Sequence, residues 1–388
     1  MVGGRISRLS VRDVRFPTSL GGHGSDAMHT DPDYSAAYVV LETDAEDGLR
    51  GHGITFTLGK GTEVVVCAVN ALAHHVLNKD LADIVGDFRG FYRQLMSDGQ
   101  LRWIGPEKGV VHLVTAAILN AVWDLWAKQE GKDARTLLSC IDFRYITDVL
   151  TEEEAYEEQM LTHGYPAYTT SCAWLGYSDD TLKQLCTEAL KGGWTRFKVK
   201  VGADLQDDIR RCRLIRNMIG PEKTLMMDAN QRWDVPEAVE WMAKLAEFKP
   251  LWIEEPTSPD DILGHATISK ALVPLGIGVA TGEQCHNRVM FKQLLQAKAL
   301  QFLQIDSCRL GSVNENLSML LMAKKFERCA NMSDHLHEHF TYPVTIKNAS
   351  YMPPKEAGYS TEMKEESVKK HQYPDGEIWK KLLTAQGN

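Results

Sequence analysis

The chain has eight cysteines, at 67, 140, 172, 186, 212, 285, 308 and 329, and no C-x-x-C pair among them. That absence excludes zinc ribbons and thioredoxin-like redox motifs. Thiols scattered through apolar runs fit reduced, buried residues in a reducing compartment. Positive charge is not in excess: 43 Lys and Arg face 52 Asp and Glu, a net −9. A nucleic-acid or anionic-membrane partner is therefore not expected. The most membrane-like stretch, 109–127, is interrupted by His112, Asn120 and Asp124, so it reads as a buried core helix and not a span. No G-x-G-x-x-G follows an early strand, which weakens a doubly wound dinucleotide-binding sheet. Arg5, Arg8, Arg12 and Arg15 resemble a targeting segment, but Ile6, Leu9, Val11, Val14 and Phe16 around Asp13 read better as a mature strand. No cleaved segment is expected.

What is present is a ladder of charged residues, each at the end of a short β-type run. Its rungs are Lys198 and Lys200 in F-K-V-K-V, Asp228 in L-M-M-D-A-N, Glu254 in L-W-I-E-E-P, Glu283 in V-A-T-G-E-Q and Asp306 in F-L-Q-I-D-S. From Lys200 onward they stand 28, 26, 29 and 23 residues apart, about one strand plus one helix each time. Strands are expected at 167–173, 195–201, 224–228, 250–254, 276–281 and 301–306. Helices are expected between and after them, at 179–191, 205–218, 235–247, 260–272, 287–298 and 312–327. The helix at 235–247 carries Pro236 in its first turn and then Val239, Met242 and Leu245 on one face. Continuously apolar strands with right-handed crossovers imply a TIM-type barrel, with a doubly wound sheet as the alternative. Before them, strands at 4–16, 36–43 and 53–58 and helices at 62–78 and 109–130 make an α+β unit. The first two strands flank a Gly/His/Asp-rich loop of the kind that closes over ligands.

Strand-end carboxylates at this spacing converge on one mouth of a barrel. Asp228, Glu254 and Glu283 suit a hard divalent cation, Mg²⁺ over zinc, since no histidine or cysteine accompanies them. A cation there can stabilise the charge that develops when a proton is removed beside a carboxylate. Lys198 and Lys200 alternate on one strand and share its inward face. Beside a cation and a second lysine, either can serve as a base near neutral pH. Glu255 faces away from Glu254 and is expected to play a supporting role. Asp306 can hold a histidine of a neighbouring strand in one tautomer. His335, His337 and His339 lie in a polar run and read as a solvated segment.

K-V-K, M-D-A-N, W-I-E-E-P, T-G-E and Q-I-D, in that order, together with the helix A-I-L-N-A-V-W-D-L-W-A-K-Q-E-G-K, resemble the enolase superfamily within its mandelate-racemase-like branch. The resemblance implies an α+β capping domain at 1–135, a modified (β/α)7β barrel at 136–340, and a C-terminal segment, 341–388, returning to the cap. It implies Mg²⁺ held by Asp228, Glu254 and Glu283. Lys200 would take the C2 proton of a sugar acid, L-fuconate, and Lys198 would lower its pKa. A strand-seven histidine paired with Asp306 would help the C3 hydroxyl leave, giving a 2-keto-3-deoxy acid. Gly24, Ser25, Asp26 and Tyr34 of the 17–35 loop, with Lys200, Asn230 and Glu283, would contact the sugar. A homo-oligomer and a mitochondrial location are implied, with a cytosolic location as the alternative.

The chain departs from this pattern in three places. The connector after Gly131-Lys132 is short, and so is the stretch before Met160. After Glu327 the seventh strand with its histidine, and the eighth strand, are missing. An impaired dehydratase is therefore expected. A racemase or epimerase, and an inactive metal-binding variant, remain as alternatives.

Overall fold

The computed structural model describes residues 3–105, 107–133, 162–169, 172–331 and 336–386. Strands β1 (Ile6–Arg15), β2 (Ser35–Thr43) and β3 (Arg50–Thr57) form an antiparallel sheet in that order. A register shift between Ile6 and Arg8 brings Ile6 to the same face as Leu9 and Val11 despite their odd spacing. That face packs on α1 (Thr62–Leu72) and α4 (Gly109–Gln129) through Ala37, Val39 and Leu41. Short helices α2 (Leu81–Gly86) and α3 (Phe88–Met96) close the layer. Each fully buried Val or Leu here contributes about 1.5–3 kcal/mol. The apolar helix α4 is the core of this layer and is buried almost throughout. It reaches the sheet because β3 reads R-G-H-G. A Cβ on Gly51 would stand 2.2 Å from the carbonyl oxygen of Ala121, and one on Gly53 2.1 Å from that of Ala117.

The second part alternates strand and helix, as the sequence predicts. After β4 (Tyr165–Pro166), the elements run α5 (Asp179–Lys191), β5 (Arg196–Lys200), α6 (Leu205–Ile219), β6 (Thr224–Asp228), α7 (Val235–Leu245), β7 (Trp252–Glu254), α8 (Ile262–Leu272), β8 (Gly278–Thr281), α9 (Arg288–Gln296), β9 (Phe302–Gln304) and α10 (Ser312–Lys325). Side chains cap several of these helices: Ser178, Asp204, Asp261 and Asn287 each accept a first-turn amide. Strands β5 to β9 pair in parallel in chain order. Phe197, Val199, Leu225, Met227, Ile253 and Val279 face the helices. Tyr168, Met226, Trp252 and Ala280 fill the inside. The two sets alternate along the strands, as barrel walls require.

Two expectations need correction. Of the strand expected at 167–173, Thr169 makes an isolated parallel bridge to Phe197, and residues 170 and 171 lie outside the described residues. Secondly, a strand does follow Glu327: β10 (Cys329–Asn331) pairs in parallel with β9. It escapes a reading by pattern because three residues show no periodicity. The turn that starts it needs a left-handed Glu327, at φ 55°. The sheet is thus six parallel strands, open between β10 and β5, and among the described residues no strand closes it.

The remaining chain forms β11 (Thr345–Lys347) and β12 (Ser350–Met352), of which β12 pairs antiparallel with both β11 and β4, and helices α11 (Glu365–His371) and α12 (Glu377–Gln386). Met363 and Val368 cover the second face of β2 against Ala36, Tyr38 and Val40, so β2 is apolar on both faces. The Tyr38 hydroxyl accepts the Met363 amide at 3.2 Å, and the Trp379 indole donates to the Arg15 carbonyl at 2.8 Å. The expected solvated histidine segment also differs from the structure. His339 stacks on Phe16 with ring centres 4.1 Å apart and bonds Ser367, while His337 bonds the Val344 carbonyl. His335 lies outside the described residues.

Candidate functional site

The parallel register sets Lys200 opposite Asp228, and Asp228 opposite Glu254, at the carboxyl ends of β5, β6 and β7. Lys198 lies one layer deeper. Its Nζ donates to Glu254 Oε1 at 2.6 Å and Asp228 Oδ2 at 3.1 Å, and sits 5.2 Å from the centre of the Tyr168 ring. Lys200 Nζ donates to Asp228 Oδ2 at 2.6 Å and to Asn230 Oδ1 at 2.8 Å. The backbone beyond the strands is unusual: Asn230, Gln231 and Glu255 all have positive φ, at 46°, 69° and 41°. Such strain is held by its surroundings and gathers at functional sites. The Asn230 amide donates to Asp228 Oδ1, the Gln231 amide to the Glu255 carbonyl, and the Gln231 side chain to Glu255 Oε2.

The charges are unbalanced. Four carboxylates, Asp228, Glu254, Glu255 and Glu283, act electrostatically on the cluster against two ammonium groups. Burial and the neighbouring Asp228 charge push Glu254 up to about 8. Burial, followed by the charges of Glu283 and Asp228, also raises Glu255, and Glu255 Oε1 has no hydrogen-bond partner. Burial would also raise Asp228, but Lys200 and Lys198 hold it low. Fully buried acids with too little positive charge fit a divalent cation. Among the described residues, Asp228, Glu254 and Glu283 do not yet bring one oxygen each within 4.8 Å of the other two. Bare carboxylates repel, and Lys198 bonds both Asp228 and Glu254.

Burial and the Lys198 charge both act to lower the Lys200 pKa. Asp228, Glu254 and Glu283 outweigh both and push it up to about 12. Against the effect of its burial, Lys198 is raised as well, by Glu254 above all. Asp306 does not meet a histidine among the described residues. Its Oδ2 pairs with Arg309 Nε at 3.0 Å and its Oδ1 accepts the Cys308 amide. Arg309 also bonds the side chain of Gln284.

The 17–35 loop lies against this mouth. A Cβ on Gly202, just past β5, would lie 3.4 Å from the Ala27 side chain. Ser25 fastens the loop: its Oγ accepts the Gly176 amide at 2.8 Å and donates to the Gly22 carbonyl at 2.7 Å. Gly24 has φ +80°, and a Cβ there would stand 2.5 Å from the Tyr34 ring, so those two residues pack together. Burial raises the Tyr34 pKa, with Lys200 and Glu283 in electrostatic reach. Asp26 accepts the amides of Met28 and His29 and holds the His29 ring at 3.1 Å.

Three residues escape the sequence reading. His29 has its pKa raised by the Asp26 hydrogen bond and lies in electrostatic reach of Lys200 and Arg309. Arg211 is buried on α6 and donates to the carbonyls of Lys200, Ala173 and Trp174, bracing the end of β5. Tyr177 bonds His23 of the loop at 2.7 Å. The signal for Tyr177 was W-L-G-Y directly after an expected barrel strand; a mid-helix arginine gave none.

Residues 25–138 match the family described as mandelate racemase / muconate lactonizing enzyme, N-terminal domain, and 181–333 match enolase C-terminal domain-like. Bovine mitochondrial enolase superfamily member 1 is 78% identical over 443 positions, covering 100% of both chains. With 388 residues here, at least 55 of those positions have no counterpart in this chain. L-Galactonate dehydratase of Hypocrea jecorina is 49% identical over 95% of this chain and 94% of its own. The crystal structure of human mitochondrial enolase superfamily member 1 superposes with TM-score 0.91 at 77% identity, covering 98% of this chain and 99% of that one. L-Talarate/galactarate dehydratase from Salmonella typhimurium LT2, solved with Mg and L-lyxarohydroxamate, shares the fold at TM-score 0.77 and 23% identity, over 94% and 92% of the two chains.

Proposed function

Because this chain belongs to the mandelate racemase/muconate lactonizing enzyme family of the enolase superfamily, we propose that it carries the proton-abstracting half of a Mg²⁺-dependent sugar-acid dehydratase. The observation that carries this reading is the row of Lys200, Asp228 and Glu254 in register at three adjacent strand ends, with Lys198 beneath. Asp228, Glu254 and Glu283 would hold Mg²⁺, and Glu255 and Gln231 would support them. Mg²⁺ supplies the positive charge that stabilises negative charge developing on a substrate carboxylate. Lys200 is the base toward C2, oriented by Asn230, and Lys198 fixes the carboxylates around it. Gly24, Ser25, Asp26 and Tyr34 bring the loop over the sugar. The substrate class follows from the dehydratases among the relatives, and L-fuconate is the member we propose. Hydro-lyase activity, the division at 1–135, 136–340 and 341–388, a homo-oligomer and a mitochondrial location belong to the same proposal.

One observation favours a narrower activity. Asp306 is neutralised by Arg309 in its own turn, and dehydration needs an acid beside the leaving hydroxyl. Removing such an acid costs on the order of 10²–10⁴ in rate. The chain is then expected to exchange the C2 hydrogen of the sugar acid faster than it releases water. The test follows L-fuconate in D₂O with Mg²⁺, by NMR for C2 deuteration and by keto-acid formation for dehydration. Exchange without matching dehydration supports this reading. Dehydration at the rate of a full-length relative overturns the impairment, and absence of both overturns the activity.

A further inference from the structure

We propose that His74, His75 and Asp98 form a binding site for a transition-metal ion of the zinc class, on the outer edge of the cap and separate from the barrel mouth. His74 and His75 end the 3-10 turn that extends α1, and Asp98 lies just past α3. Each offers one ligand atom, and the three lie within 4.8 Å of one another. His75 Nε2 is 2.7 Å from Asp98 Oδ2 and His74 Nε2 is 3.7 Å from the same oxygen. An ion with bonds of about 2.0–2.2 Å in tetrahedral geometry needs its ligands about 3.4 Å apart. These separations bracket that value, so small side-chain shifts admit the ion.

In His74 and Asp98 the second polar atom is already committed in the way a metal site requires. His74 Nδ1 donates to the Ala71 carbonyl at 2.9 Å, which fixes its tautomer and leaves the Nε2 lone pair free. Asp98 Oδ1 accepts the amides of Gln100 and Leu101, leaving Oδ2 toward the histidines. A plain ion pair between His75 and Asp98 would not need His74. Yet the two imidazoles lie with ring centres 3.9 Å apart, and both Nε2 atoms approach one oxygen. Two imidazoles and one carboxylate favour Zn²⁺ over Mg²⁺, the reverse of the all-carboxylate barrel mouth. The His74 side chain is 62% exposed, so the fourth position opens to water. A bound ion would tie the end of α1 to the end of α3.

The test is calorimetric titration of the chelator-stripped full chain with Zn²⁺ in excess Mg²⁺, with thermal melts alongside. The expected result is one zinc per chain and a raised Tm, with binding at least tenfold weaker in both His74→Ala and Asp98→Asn. His74 is exposed enough that its variant folds even if the other does not. Binding that is absent, or unchanged in His74→Ala, overturns the site. So does binding that is lost in Asp228→Asn, which would place the ion at the barrel mouth.

Discussion

Lys200 Nζ lies 2.6 Å from Asp228 Oδ2, and the two residues are direct neighbours in the parallel register of β5 and β6. The same carboxylate is therefore shared between the candidate base and the candidate cation. Lys200→Ala removes the candidate base while leaving Asp228, Glu254 and Glu283 in place. C2 exchange is expected to fall by at least about 10²-fold, with Mg²⁺ binding retained. NMR-monitored deuteration with a parallel Mg²⁺ titration checks both.

The excess negative charge predicts that Mg²⁺ stabilises the fold. A ligand that binds only the native state adds RT ln(1 + [L]/Kd). The Tm is expected to rise with Mg²⁺ in the wild type and to stay flat in Asp228→Asn. Scanning calorimetry from micromolar to millimolar Mg²⁺ reads the slope, and an equal slope in the variant would move the cation away from Asp228.

Ser25 joins the 17–35 loop to the turn before α5 through one hydroxyl with two partners. Ser25→Ala takes the acceptor from the Gly176 amide; Gly176 is exposed, so water replaces the bond and the loss is about 0.5–1.5 kcal/mol. The loop is expected to open more often. Substrate KM should rise several-fold with little change in the exchange step itself, and hydrogen exchange at Gly176 should speed up. Unchanged exchange at that amide would show that the loop is held by other contacts.

The barrel mouth was legible in the sequence because parallel strands place their ends at one level and repeat at a constant spacing. Lys200, Asp228 and Glu254 needed only that spacing to be brought together. What could not be read was decided by partners far along the chain. The second apolar face of β2 makes sense only once Met363 and Val368 cover it. Arg211 matters through three carbonyls on other elements, and His29 through Asp26 and the charge of Lys200. Strand β10 is too short to show a period. The lysine pKa expectation assumed a cation beside the carboxylates; with the carboxylates alone, Asp228 and Glu254 set the direction.

Gly53 lets the sheet approach the core helix of the cap closely. Gly53→Ala places a methyl 2.1 Å from the Ala117 carbonyl oxygen and 2.5 Å from the Ala121 amide nitrogen. Backbone on both sides cannot yield as a side chain would, so α4 must move. The cost is expected at the upper end of the roughly 1–3 kcal/mol typical of overpacking. Urea denaturation should show a lower midpoint at an unchanged slope. An Ala substitution at Gly86, where nothing lies within 4 Å and φ is not positive, removes the clash without adding backbone strain and serves as the comparison.

Asp208 predicts a pH dependence that does not involve the cation. Its carboxyl is buried on α6, where one oxygen accepts the Gly202 amide at 2.7 Å and the Trp241 indole at 3.0 Å and the other has no partner. Burial pushes its pKa from 3.8 up to about 6, against the opposing pull of those bonds and of Arg211. A carboxyl harder to ionise in the folded chain than in the unfolded one gives its full stability while protonated, below 3.8. That stability is lost as pH rises through about 6. At about 1.36 kcal/mol per pKa unit the loss is on the order of 3 kcal/mol. Asp208→Asn keeps an acceptor oxygen for Gly202 and Trp241 but cannot ionise. Its unfolding free energy relative to wild type is therefore expected to increase between pH 4 and pH 7, then level off. A difference that stays constant across that range, measured by urea denaturation at each pH, would mean that Asp208 ionises in the folded chain as readily as in the unfolded one.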